Sequence, residues 1–555
     1  MKIKDLLLRD PLTHPLANNG QARIVDSPDA QSVDEIRKEL ETFVCEGRYA
    51  DGIERILSSF LGGLGQTSQR AAWVSGFFGS GKSHLLKMLC HLWQNTAFPD
   101  GATARGLVTD LPAGVKAQLK ELDTAGRRHG GLLAAAGALP SGSTDTVRLT
   151  ILSIILRAAG LPGQFAQASF VLWLHEQGYL DAVKSAVTAG GRAWEKEVNN
   201  LYVSPFIARA VLSCDAAFAS SEAQARETLR TRFASPKSDI DTKSFTTMAR
   251  EALTLAGRGG ELPCTLIVLD EMQQYVGTSY DRSVAVTEAA EALSKEMSSR
   301  IVVVGAGQSA LTDVSLLHKM MDRFSVRVPL ADADVETVTR KVLLQKKATA
   351  LGQVHATLAA HAGEISRQLQ GTRIAERTED LDVIVDDYPL LPVRRRFWEE
   401  SFRQADPAGT HSQLRSQLRI IHDAVRDIAD ESLGAVVPAD VLYNSLAPVM
   451  VVTGVLPREI DERITALGKK GGPNGELERR VCSVAFLIGK LPREGGADIG
   501  VRATTEHIAD LLVSDLTADN GRLRHDVGET LVRLAKDGGA HAGGRRVSPA
   551  DARGQ

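Results

Sequence analysis

Eight consecutive residues, Gly76, Phe77, Phe78, Gly79, Ser80, Gly81, Lys82 and Ser83, fit the pattern G-x-x-x-x-G-K-[ST]. Glycines in such a run let the backbone wrap closely around phosphates with its N–H groups pointing inward. Lys82 is placed to reach the β- and γ-phosphates of a nucleoside triphosphate. Ser83 offers a hydroxyl to Mg²⁺, and the helix that follows, from His84, turns its N-terminus to the same anion. The chemistry expected is ATP binding with Mg²⁺, with residues 76–83 and His84 as nucleotide contacts. Asp270 and Glu271 close an apolar run at residues 265–269. A carboxylate at that strand end suits Mg²⁺, so Asp270 is expected to hold the metal with Ser83. Glu271 is expected to orient or deprotonate the attacking water.

Further candidates lie downstream. Gln308, followed by Ser309, comes just after an apolar run at 301–304, where a polar side chain could sense the γ-phosphate or position water; a plain turn is the alternative. Arg323 could reach a neighbouring subunit's nucleotide as an arginine finger, in competition with Arg327 or with a local pairing to Asp322. Arg415 and Arg419 share one face of a helix start. Arg415 is the candidate second phosphate sensor, and a solvated basic face is the other reading. The catalytic set is thus Lys82, Glu271, Gln308 and Arg323.

The elements that must position these residues alternate in type. Residues 71–75 read as a buried strand, 76–83 as a loop and 84–94 as a helix. Strands are also expected within 131–139, at 265–269 and at 301–304, which predicts an α/β fold on a parallel sheet. The long interval between Lys82 and Asp270 predicts a helical insertion near 160–250, with Trp173 and Trp194 as core residues. Ser32 reads as an N-cap with Glu35 completing a capping box. A second amphipathic run covers 53–64. The domain boundaries expected are 1–70 for a loop-rich lead-in and helices, 71–330 for the ATPase core, 331–435 for a helical lid, 436–538 for a winged-helix-like domain, and 539–555 for an irregular tail. The triplet Arg394, Arg395 and Arg396 reads as exposed, as a solvated run or a nucleic-acid contact. The last apolar-periodic segments, 504–512 and 523–534, suggest a helix-turn-helix. The second carries Arg524, His525 and Arg533 against Asp526 and Glu529, so protein packing competes with DNA reading.

With 555 residues the chain is long enough for three to four domains at roughly 150 residues each. Hydrophobic residues at 43% and charged residues at 24% exclude a disordered or collagen-like chain. Lys+Arg 65 against Asp+Glu 68 leaves a net charge of −3, so any DNA surface must be a local patch. No apolar run approaches the roughly 20 residues that span a bilayer. The five scattered cysteines form no Cys-x-x-Cys pair. A cytoplasmic protein with reduced thiols and no membrane partner is expected.

Three stretches go beyond a bare P-loop motif. Residues 73–87 (Trp-Val-Ser-Gly-Phe-Phe-Gly-Ser-Gly-Lys-Ser-His-Leu-Leu-Lys), 388–398 (Tyr-Pro-Leu-Leu-Pro-Val-Arg-Arg-Arg-Phe-Trp) and 413–422 (Gln-Leu-Arg-Ser-Gln-Leu-Arg-Ile-Ile-His) resemble the BREX phage-defence P-loop ATPases. The branch most resembled is BrxC, with PglY of the phage growth limitation system. The opening 7–16 is similar too, and the resemblance covers nearly all of 1–537. It implies an AAA+-like, ORC/STAND-related P-loop ATPase with a helical lid and a winged-helix domain. Its implied role is a motor or switch of an anti-phage defence complex, working with a methyltransferase and a phosphatase-like protein; an arginine finger at Arg323 acts in trans, so a homo-oligomer is expected. The alternatives are an initiator-like DNA-loading ATPase, with DNA as its partner, and a STAND-like signalling scaffold. The family's proteins are about twice as long. The Gly/Ala/Arg-rich residues after 539 stand where the family has a hydrophobic wing. Together with an excess of arginine over lysine, they raise the expectation of a truncated or frameshifted product.

Overall fold

Apolar residues recur on both sides of the short strands because both faces of the sheet are covered. The computed structural model describes residues 1–14, 30–76, 80–139, 147–277, 279–308, 320, 322–330, 334–405, 414–469 and 472–536. The chain forms two compact units, a sheet unit (Gly20–Asp332) and a helical unit (Met1–Asn19 with Ala333–Gln555).

The sheet unit is an α/β fold. Its strands β1 (Ala72–Ser75), β2 (Leu132–Ala138), β3 (Cys264–Asp270), β4 (Ile301–Gly307) and β5 (Val326–Pro329) are all parallel, in the order β2-β3-β4-β1-β5. Ala72, Val74, Leu266, Val268, Val302 and Val304 enter one core with the helices Gly47–Gly63 and Lys82–Gln94. Trp73, Ile267, Leu269, Ile301 and Val303 enter the opposite core with the helices between Val147 and Glu296. That alternation is the period of two of a pleated strand. Helices occupy much of 160–250, the interval in which a helical insertion is expected. Trp173 packs there among Phe170, Tyr179, Phe218 and Phe233, and Trp194 is also buried.

Two local expectations are corrected. Ser32 is the third residue of the helix Ala30–Glu41, so it does not cap it. Strand β5 has no counterpart in the sequence reading. It is four residues long at a sheet edge, and only Val328 of it is buried. So short an alternation gives no periodic signal.

The helical unit has one hydrophobic core that draws on both 331–435 and 436–536. Its last helices are Thr505–Leu512 and Asn520–Lys536. Among the described residues of 436–536 there is no strand, only an isolated bridge between Ala435 and Asp515. The first residues of the chain are part of this core. A short helix, Ile3–Leu6, buries Ile3, Leu6 and Leu7. The Ile3 N–H donates to the Glu431 carbonyl at 2.9 Å and the Leu8 N–H to the Gln345 carbonyl at 2.7 Å. Lys2 and Lys4 both pair with Asp430. The start of the segment expected as a loop-rich lead-in, residues 1–9, is therefore a clasp within the helical unit.

The expected exposed arginine triplet is overturned. Arg394 is fully buried on the helix Pro392–Ala405. It donates to the Val437 carbonyl at 2.6 Å, the Asp510 carbonyl at 3.1 Å and Gln368 Oε1 at 3.2 Å. Arg395 pairs with Glu336 at 2.7 Å and with Asp387 at 3.3 Å. Arg396 grips Asp380 with two bonds of 2.7 Å. Three consecutive helical residues sweep about 200° of the surface, so they cannot all face solvent on a packed helix. Arg524 and Arg533 are also paired, with Glu364 and Asp510 and with Glu478. No helix among the described residues is long and apolar enough to cross a membrane.

Lys346 is buried in the helical unit, its ammonium donating to the Asp386 carbonyl at 2.7 Å. Burial pushes it down to about 7, against the pull of Asp386 and Asp387. The unfolded chain keeps this proton to about pH 10.4. Between those values the unfolded state binds more protons, so this residue's contribution to stability rises with pH. The parent should therefore gain stability relative to Lys346→Met between about pH 7 and pH 9.5. Denaturant titration at both pH values checks this, and a pH-independent difference would refute it.

Candidate functional site

Parallel pairing gathers the carboxyl ends of the strands on one edge of the sheet. In register, Ser75 of β1 lies beside Gly307 of β4, and Leu269 of β3 beside Gly305 of β4. The residues that leave those ends are Gly76, Asp270 with Glu271, and Gln308. The glycines of β4 have a packing reason: a Cβ at Gly307 would stand 2.3 Å from the Trp73 ring, and one at Gly305 would stand 2.6 Å from Met272. Trp73, held edge-on by Phe324 at 6.0 Å, fills that space. Small residues in β4 thus let β1 and β4 stand side by side over a large aromatic ring.

The run after β1 enters the helix Lys82–Gln94 through Gly81, which has φ +82°. Glycine takes that left-handed conformation without steric cost. The Tyr49 hydroxyl donates to the Ser80 carbonyl at 2.8 Å. Among the described residues, the buried Ser80 Oγ has no hydrogen-bond partner. Lys82 Nζ donates to the Gly76 carbonyl at 2.6 Å. Desolvation lowers the Lys82 pKa, while the Asp270 charge pulls it back up. His84 meets Phe43 edge-on at 5.6 Å. Phe77, Phe78, Gly79 and Ser309 lie outside the described residues.

Ser83 Oγ donates to Asp270 Oδ2 at 2.6 Å, joining residues 187 positions apart. The other oxygen, Oδ1, accepts the Glu271 N–H at 2.9 Å. Asp270 is buried. Glu271 is exposed and takes a left-handed backbone (φ +55°) as it caps the helix Met272–Val276. Gln308 is exposed directly after β4. The structure therefore gathers Gly76, Ser80, Gly81, Lys82, Ser83, Asp270, Glu271 and Gln308 at one sheet edge.

Arg323 is half-buried, its guanidinium donating to the Ala290 carbonyl at 3.3 Å. Burial lowers its pKa and the charge of Glu291 opposes this. Its Nε is buried and has no hydrogen-bond partner among the described residues. Arg327 lies exposed on β5, and its carbonyl accepts from Arg55. Arg415 lies on the helix Leu414–Asp427 of the helical unit, its side chain outside the described residues.

The donor set fits a hard divalent cation held jointly with phosphate. Ser83 and Asp270 offer oxygens at one point. Among the described residues no group of three or more His, Cys, Asp or Glu side chains could hold a metal by itself. Mg²⁺ characteristically takes one or two carboxylates plus substrate phosphates rather than a full protein cage. The unpartnered Ser80 hydroxyl and the glycine at Gly81 suit an anion close to the backbone. Tyr49 gives no signal in the sequence, because its role rests on a contact across 31 residues. No protein-family model matches the chain.

Asp270→Ala removes two acceptors at once, which should cost about 1–3 kcal/mol of stability. Asp270→Asn keeps a carbonyl for the Glu271 N–H and should cost less. Chemical denaturation of both variants without nucleotide measures the difference. Equal losses would mean that the Glu271 contact contributes nothing.

Proposed function

We propose that the sheet unit binds ATP with Mg²⁺ and hydrolyses it, as an AAA+-like P-loop core. The observation that carries this reading is the Ser83–Asp270 hydrogen bond, which brings the hydroxyl of a G-x-x-x-x-G-K-S run to the acidic end of β3. Placement of β4 between β1 and β3, with Gln308 at its carboxyl end, supports it. Open parallel sheets take ligands at the carboxyl ends of their strands.

In this reading Lys82 and the backbone N–H groups at the helix start hold the phosphates. Ser83 and Asp270 would hold Mg²⁺, which when bound withdraws charge from the phosphate oxygens. The exposed Glu271 carboxylate takes a proton from water as the water oxygen bonds to the γ-phosphorus. The bond from that phosphorus to the departing ADP oxygen breaks, leaving ADP and phosphate. Gln308 orients the water or senses the γ-phosphate.

The sequence resemblance supports a role as the ATPase of a BREX/Pgl-type cytoplasmic defence complex, beside a methyltransferase and a phosphatase-like protein. The arginine triplet, Arg524 and Arg533 are ion-paired or hydrogen-bonded within the helical unit, which weighs against a DNA-loading role that would use them. A second reading, a nucleotide-dependent switch that turns over little, is favoured by the packing of Arg323 on Ala290. A finger acting in trans would have to leave that contact.

Lys82→Ala should abolish ATP binding by calorimetry and protection against phage in cells. Glu271→Gln should bind ATP but hydrolyse it at least about 100-fold more slowly. Unchanged ATP affinity in the first variant would sink the nucleotide reading.

Mixing Arg323→Ala with Lys82→Ala chains tests the oligomeric motor. An intact nucleotide site from one would meet an intact arginine from the other, so hydrolysis should partly return. No rescue, with a rate per chain independent of protein concentration, would select the switch.

A further inference from the structure

Tyr49 lies in the first turn of the helix Gly47–Gly63, with its ring buried. That helix is anchored away from the loop: Gly52 packs on Val328 of β5, and Arg55 donates to the Arg327 carbonyl at 3.2 Å. Phe43 meets the Tyr49 ring edge-on at 6.4 Å and the His84 ring at 5.6 Å. The Tyr49 hydroxyl is therefore a fixed donor, and it meets the Ser80 carbonyl at 2.8 Å.

The Ser80–Gly81 peptide precedes a glycine, which makes a backbone flip there cheap. Flipping a peptide plane changes ψ of the residue before it and φ of the residue after it. Gly81 at φ +82° tolerates either sign of φ. In a trans peptide the C=O and N–H point in opposite directions. A donor that holds the Ser80 carbonyl therefore also fixes the direction of the Gly81 N–H. A Cβ at Gly81 would stand 1.9 Å from the Tyr49 oxygen, so glycine and tyrosine form a matched pair.

We propose that Tyr49 is a positioning residue that locks the Ser80–Gly81 peptide so that the Gly81 N–H stays turned to the phosphates. This inference rests on the nucleotide reading above. Without the lock the loop divides its time between two peptide orientations, and the binding-competent fraction falls. The hydrogen bond is worth about a fivefold change in that equilibrium. The lock acts alike on the bound ground state and the transition state, so it changes KM and leaves kcat unchanged.

The test compares the parent, Tyr49→Phe and Lys82→Ala by Mg-ATP calorimetry, steady-state hydrolysis and nucleotide-free thermal unfolding. Tyr49→Phe should weaken ATP binding and raise KM by up to about fivefold, with kcat and the melting temperature close to parental. A parental KM in Tyr49→Phe, while Lys82→Ala abolishes binding, would overturn the lock and leave the nucleotide reading standing. So would a lowered melting temperature with unchanged KM. If the parent itself binds no ATP, both fall. A nucleotide-free arm checks the geometry: Gly81→Ala should lower the melting temperature, and less so in the Tyr49→Phe background, where the closest clashing atom is gone. Equal losses in both backgrounds would overturn the pairing.

Discussion

The hydrogen bond from Ser83 to Asp270 is the point at which the rest of the sheet unit converges. It requires β1 and β3 to run in the same direction, so that a loop leaving one and an acid ending the other meet at one edge. It requires β4 between them to be narrow enough for Trp73, which its two glycines allow. It requires the helix Lys82–Gln94 to start directly after Gly81, because a start one turn later would carry Ser83 away from Asp270. A buried carboxylate is costly unless hydrogen-bonded. Asp270 satisfies that with one oxygen on Ser83 and the other on the Glu271 N–H.

Much of this arrangement was legible in the residues. The central strands show as β-rich apolar runs bounded by polar turns, because burial on both faces leaves no room for polar residues. The glycine run and the acidic pair carry their chemistry in their types and spacing. What the sequence did not show depends on tertiary contact. Strand β5 is too short to have a period. Tyr49 looks like any apolar-face aromatic until Ser80 is placed beside it. The arginine triplet looks like a solvated charge run because its acceptors, Asp380, Asp387, Glu336 and the Val437 and Asp510 carbonyls, are scattered from residue 336 to residue 510.

The arginine cluster also changes what charge means in this chain. A net charge near zero hides carboxylates and guanidiniums that neutralise one another out of water. Removing one partner of such a buried pair typically costs about 3–5 kcal/mol, because the other charge is left stranded. Conversely, the basic residues counted toward a nucleic-acid surface must first be discounted for those already committed inside the helical unit.

The clasp formed by the first residues sets an order of events during synthesis. Ile3, Leu6 and Leu7 emerge from the ribosome before their partners, which come from as far along as residues 429–433. At about 5–20 residues per second, those partners arrive roughly 20 to 90 s later. Three apolar side chains must wait that long without a core, long enough for a chaperone to hold them. The intervening residues can fold first as the sheet unit, since domains generally fold as units during synthesis. The topology thus places closure of the helical unit after the whole sheet unit has been synthesised.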